Sequence, residues 1–171
     1  MNRLVLIGNG FDLAHGLKTR YEHFIDWYCD QRVYGFVGNL SDISSDILCS
    51  FQDLQHRVWN VNAFANGFNL NHAKGKEIVD HLIKNKECFK TTMSPFFENI
   101  YKSIETKGWV DIENEYYNLL KKYAIEEIAK DKLHDLNLQL QYVQSHLTEY
   151  LIRCQQGATI ISEIGKDLCS Y

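Results

Sequence analysis

Asp12 and His15 stand about one helical turn apart, just after two glycines that flank an asparagine, Gly8-Asn9-Gly10. Side chains at that spacing share one face of a helix. An imidazole there can give or take a proton near neutral pH. The same histidine also suits a helix end, where its charge favours the dipole. Asp12 can hold a ribose hydroxyl or orient a water; it can equally cap the helix. An acid here repels a phosphate set directly on the helix start, so a sugar or base is its better partner. Asn9 has two readings as well. Its amide can bond a ribose or phosphate, or the residue can serve an unusual backbone angle that asparagine tolerates. Asp12 and His15 alone are too few ligands for a metal.

A second group of polar and aromatic residues is Trp109, Asp111 and Glu113. Acids in the first turn of a helix are expected from the macrodipole alone. Carboxylates two residues apart on a helix diverge, which argues against paired acid–base work. Thr19 opens a Thr19-Arg20-Tyr21-Glu22 capping box, which favours a cap over a ligand contact.

The first group needs an element to hold it. Leu4-Val5-Leu6-Ile7 reads as a buried strand, and the glycines end it. Strand, glycine turn and helix start bring backbone N–H groups up to a phosphate in many α/β proteins. Gly8 and Gly10 carry no Cβ, so a ligand can approach the chain closely. The full dinucleotide fingerprint is absent, because Leu13 takes the place of its third glycine, and no Gly-Lys-Ser/Thr follows. A plain turn that needs glycine only for geometry therefore stands beside the cradle.

The stretch Gly8-Asn9-Gly10-Phe11-Asp12-Leu13-Ala14-His15-Gly16-Leu17, with Thr19, Tyr21 and Phe24, resembles the opening signature of the AbiH family of bacteriophage abortive-infection proteins. Trp109-Val110-Asp111-Ile112-Glu113 resembles a second feature of that family. The opening is also similar, at the level of fold, to a sirtuin-type NAD-binding start, with Gly8, Gly10 and Gly16 at matching spacing. It departs from that pattern at Asn9, Asp12, Lys18 and Tyr21, where a sirtuin carries Ala, Ser, Pro and Arg. The resemblance implies a nucleotide, NAD among the candidates, held by Gly8, Asn9, Gly10, Phe11, Asp12, His15, Gly16 and Thr19. Trp109, Asp111 and Glu113 form the second cluster on the same ground. Members of the family usually carry an Asn-Phe-Asn-Tyr-Thr stretch and a His-Gly pair further along, and neither follows residue 16 here. A lone strand also leaves its backbone groups without partners. The expectation is a single domain over 1–171 that forms the N-terminal portion of an AbiH-like protein.

Further elements follow from periodicity. Gly16 suits a helix C′ position. Tyr21, Phe24, Ile25 and Tyr28 predict an amphipathic helix, and 33–40 a loop or short strand. Ser41 or Asp42 would cap a longer helix whose stripe is Ile43, Ile47, Phe51, Leu54, Val58 and Val61. Residues 62–75 read as an Asn- and Gly-rich loop, and Glu77 to about Asn85 as a short helix with Ile78 and Leu82 inward. Ser94 and Pro95 make an N-cap and N1 pair for a helix that stops near Gly108, and Asp111 opens the next. Leu133, Leu136, Leu140, Val143, Leu147, Tyr150 and Cys154 alternate three and four apart, which predicts a helix of about 22 residues, ~33 Å long. That seam can pack on a neighbouring helix of the chain, the favoured reading, or form a homo-oligomer. Residues 158–161 can open a last strand or helix.

The expected fold is α/β and predominantly helical. An N-terminal strand and Gly-Asn-Gly turn of Rossmann-like or sirtuin-like type lead into a bundle of about six helices, an incomplete domain. Net charge is −4, and the Lys74–Lys90 region mixes its lysines with acids, which disfavours a nucleic-acid partner. No stretch approaches a membrane span, and Met1-Asn2-Arg3 leads no signal peptide, so a membrane role is not expected. Five cysteines without paired spacing fit reduced thiols in a cytoplasmic protein. Two functions follow: phage defence through nucleotide binding at the glycine loop, or a non-enzymatic helical interaction module that uses the 133–154 seam.

Overall fold

A computed structural model of the chain describes residues 12–13, 16–38, 43–55, 73–108, 110–126 and 130–157. The elements run α1 (Tyr21–Gly38), β1 (Ile43–Ser45), β2 (Cys49–Asp53), α2 (Gly75–Lys84), β3 (Phe89–Met93), α3 (Pro95–Lys107), α4 (Ile112–Ile125) and α5 (Lys130–Gly157). Five helices and a small antiparallel sheet of order β1-β2-β3 thus make up the described residues. The parallel strand expected at Leu4–Ile7 and the element expected at 158–161 lie outside them.

α1 is the centre of the packing, with α2, α5 and β1 against it. Phe24, Ile25, Tyr28, Cys29, Val33 and Phe36 are all buried on one face. From Ile25 the stripe runs through Cys29, Val33 and Phe36 at four-, four- and three-residue steps. This corrects the loop or strand expected at 33–40: helix runs to Gly38 because Val33 and Phe36 extend the same apolar face. Gly35 within it costs less than this burial returns.

The longer helix expected from residue 41 is replaced by a hairpin. Ile43 pairs with Gln52, Ser44 with Phe51 and Ser45 with Ser50. Three residues of the supposed core stripe are exposed: Ile43 by 54%, Ile47 by 44% and Leu54 by 48%. The period that matters here is two, with Cys49, Phe51 and Asp53 turned inward. Asp46 makes the turn. Its Oδ1 accepts from the N–H groups of Leu48 (2.8 Å) and Cys49 (2.9 Å), an Asx arrangement that competes with helix. Val58 and Val61 lie outside the described residues.

β3 had no counterpart in the sequence reading. Its Phe-Lys-Thr-Thr-Met run is short, and only pairing with β2, Phe51 opposite Thr91, makes it a strand.

The remaining elements follow the expected signals closely. Ser94 Oγ accepts from Phe97 N–H at 3.2 Å, with Pro95 at the first helical position. Gly108, at φ +71°, ends α3. Asp111 Oδ1 accepts from Asn114 N–H at 2.9 Å and caps α4. Ile78 and Leu82 of α2 are buried. The 133–154 seam lies within a longer helix, and Leu136, Val143 and Tyr150 sink into the chain's own core.

Candidate functional site

Gly16 sits at the C′ position of a Schellman motif. Its φ is +77°, its N–H bonds the Leu13 carbonyl at 3.0 Å, and the Leu17 N–H bonds the Asp12 carbonyl at 2.9 Å. The backbone around Asp12 is thereby turned sharply into the 17–20 loop. Glycine is needed at residue 16 because a Cβ strains that left-handed backbone.

The loop is held from behind by the far end of α5. The Tyr150 hydroxyl donates to the Lys18 carbonyl, and Cys154 Sγ lies 3.7 Å from the same oxygen. Tyr150 packs its ring on Trp27 and Phe24, at centroid distances of 5.5 and 6.0 Å. Burial and the neighbouring thiol push the Tyr150 phenol well up, so the hydroxyl stays a donor. Residues from the end of the last described helix thus fix the loop that follows the glycine opening.

Tyr21, the first residue of α1, meets the second cluster. Its hydroxyl stands 3.2 Å from Glu113 Oε1 and 3.3 Å from Oε2 and donates to that carboxylate. Partial burial raises the Tyr21 pKa first, and the Glu113 charge, its hydrogen bond and Asp111 add to the rise. The three acids of α4's first turn diverge, as the spacing predicts. Asp111 caps its own helix, Glu113 takes Tyr21, and Glu115 accepts from Ser103 Oγ at 2.6 Å.

Of the candidates read from sequence, Asp12, Gly16, Thr19, Asp111 and Glu113 are described; Gly8, Asn9, Gly10, Phe11, His15 and Trp109 lie outside the described residues. Thr19 is partly buried in the loop before α1. Tyr21 was missed as a site residue, although it belongs to the opening signature. Its role depends on Glu113, 92 positions away, and no local pattern reports that. Chemically, a tyrosine-bound carboxylate is acceptor-only. It suits hydroxyl or N–H donors of a ligand and opposes a phosphate in the same place.

A second polar centre lies deeper. Asp46 Oδ2 accepts from the Tyr28 hydroxyl at 2.7 Å and the Tyr142 hydroxyl at 3.2 Å, and Arg32 Nε stands 3.1 Å away. Arg32 also bonds Ser44 Oγ at 2.9 Å. The Arg32–Asp46 contact is one of charge, since the Nε–H is not aimed along a hydrogen bond. Burial and Asp46 push the Cys49 thiol up to about 11, so it is a poor nucleophile. This centre ties the hairpin turn to α1 and α5 and reads as architecture.

Cys29, Cys49, Cys88 and Cys154 are free thiols. Among the described residues no group of three or more His, Cys, Asp or Glu is placed to hold a metal, and no helix is long and apolar enough to cross a membrane.

Neither a comparison with curated proteins nor one with solved structures returned a significant match. The sequence model described as bacteriophage abortive infection AbiH matches residues 4–169, a span that includes the glycine opening, the Tyr21 helix and the Glu113 helix. The chain belongs to the bacteriophage abortive infection AbiH family.

Proposed function

We propose that this abortive-infection protein binds a nucleotide, of which NAD is the first candidate, at its N-terminal glycine loop. Gly8, Asn9 and Gly10 approach the phosphates, Phe11 and Asp12 flank the sugar, and His15, Gly16 and Thr19 shape the exit of the cradle. Trp109, Asp111 and Glu113 close it from the side of α4. The observation that supports this reading is the Tyr21–Glu113 pair. It joins two stretches that are remote in sequence and that carry the family resemblance. A carboxylate there favours the sugar or base, which leaves the phosphates to the glycine turn.

The test is a thermal melt of the purified chain with NAD, ADP-ribose, ATP and GTP. One nucleotide should raise the midpoint, since a ligand that binds only the folded chain stabilises it. The shift should vanish in Gly10→Val and shrink in Glu113→Gln. A cooperative melt that none of the four moves would overturn the reading.

A further inference from the structure

β3 is an end strand among the described residues, with β2 on one side of it. Two backbone bonds show which of its residues turn toward β2. Ser94 N–H bonds the Leu48 carbonyl and Leu54 N–H bonds the Cys88 carbonyl, each at 2.8 Å. Hydrogen-bonded and non-bonded pairs alternate along an antiparallel ladder. With Ser50 opposite Thr92 and Gln52 opposite Lys90, the main chains of Lys90 and Thr92 therefore bond inward to β2. Those of Thr91 and Met93 face outward. Phe89 obeys the same parity: its N–H turns away from β2 to the Asn85 carbonyl at 2.9 Å.

A groove of about 560 Å³ follows this outward edge. All five residues of β3 line it in unbroken succession. A groove on one face of the sheet would meet alternate residues only. Leu54, Leu82 and Ile83 supply an apolar wall, and Lys86 and Lys90 a basic rim. Among the described residues the one acid that lines the groove, Glu98, is engaged by Lys102. Among the described residues no acid pairs with Lys86 or Lys90.

We propose that this edge is a docking site for an extended acidic peptide segment of a partner protein. The segment adds as a fourth strand. Its backbone pairs with the outward N–H and C=O groups of Thr91 and Met93. Its apolar side chains enter the groove, and its carboxylates meet Lys86 and Lys90. The charge selects this occupant over a second copy of the chain, because pairing two β3 edges brings two basic rims together.

The experiment is fluorescence anisotropy of the full chain with a labelled peptide of about eight alternating Val and Glu residues. Two comparison peptides carry Lys for Glu, or N-methyl groups on alternate amides. Saturable binding of the acidic peptide is expected, with none of the N-methylated one. Lys86→Glu with Lys90→Glu, both at exposed positions, should weaken binding about tenfold or more at low salt and let the basic peptide bind instead. Amide exchange at Thr91 and Met93 should be fast in the free chain and slow in the complex. The proposal fails if the acidic peptide does not bind, or if N-methylation or charge reversal leaves binding unchanged. It fails equally if those two amides are already slow in the free chain, because another segment or a second copy then holds the edge.

Discussion

Tyr21 and Glu113 lie 92 positions apart and share one hydrogen-bonded contact, 3.2 Å from the tyrosine hydroxyl to Oε1 and 3.3 Å to Oε2. The contact is exposed, so its worth to folding is small, about 0.5 to 1 kcal/mol. On the proposed reading it aims the carboxylate at the sugar or base of the nucleotide. Tyr21→Phe keeps the ring and removes the donor. It should leave the melting temperature nearly unchanged and weaken nucleotide binding several-fold, as titration calorimetry would measure. Lost stability with unaltered affinity would make the pair structural only.

Gly75 begins α2 directly against the backbone of α1. A Cβ at this position would lie 2.1 Å from the Asp30 nitrogen and 2.6 Å from its Cα. Backbone atoms cannot turn aside as a side chain can, so the two helices would have to part. Gly75→Ala should cost about 3 kcal/mol or more. Gly108→Ala is the control. Its φ is +71° but the space around it is open, and it should cost about 1 kcal/mol. Urea midpoints of the two variants compare them directly; equal losses would refute the close crossing of α1 and α2.

Asp46 serves five partners: two turn amides, the Tyr28 and Tyr142 hydroxyls and the Arg32 guanidinium. Removing it strands a partly buried arginine and two tyrosine hydroxyls. Asp46→Ala should destabilise by about 3 to 5 kcal/mol. Asp46→Asn keeps an acceptor for the turn amides and should lose less. Equilibrium denaturation separates the two, and a loss under about 1 kcal/mol for alanine would show the cluster to be incidental.

Alkaline pH should weaken the fold before any covalent damage. Burial and Asp46 push the Cys49 thiol from 9 up to about 11, and burial and Asp46 push the Tyr142 phenol from 10 up to about 12. Between those limits the folded chain keeps protons that the unfolded chain has released. Stability is therefore full below about pH 9 and falls as pH rises toward 12. Tyr28 and Tyr101, raised further by burial, act in the same direction. Urea midpoints taken from about pH 8 to 11 should decline steadily, and less steeply in Asp46→Asn. A level profile would contradict the buried placement of these groups.

What the amino-acid order determined by itself was local. Ser94 and Pro95 mark a helix start, Gly108 an end and Asp111 the next start, because each acts on amides or carbonyls within a few residues. The seam from Leu133 to Cys154 was equally legible, since its period lies in one continuous helix. The turn at Gly16 is local for the same reason, since the φ of Gly16 is +77° and the turn's bonds reach back only to Asp12 and Leu13. Tertiary structure decided the rest. Ile43, Ile47, Phe51 and Leu54 fit a helical period, yet Phe51 alone of the four is buried, and the segment is a hairpin. Its period was set by β3, about forty residues on, whose pairing no local signal announces. The candidate site divides in the same way. The glycine opening and the acids of α4 could be named from their types and spacing, but the meeting of Tyr21 with Glu113 required α1 and α4 to pack in one fold. Hydrogen bonds across 92 residues follow from the shape of the core, and a one-dimensional pattern carries no record of which distant faces that core brings together.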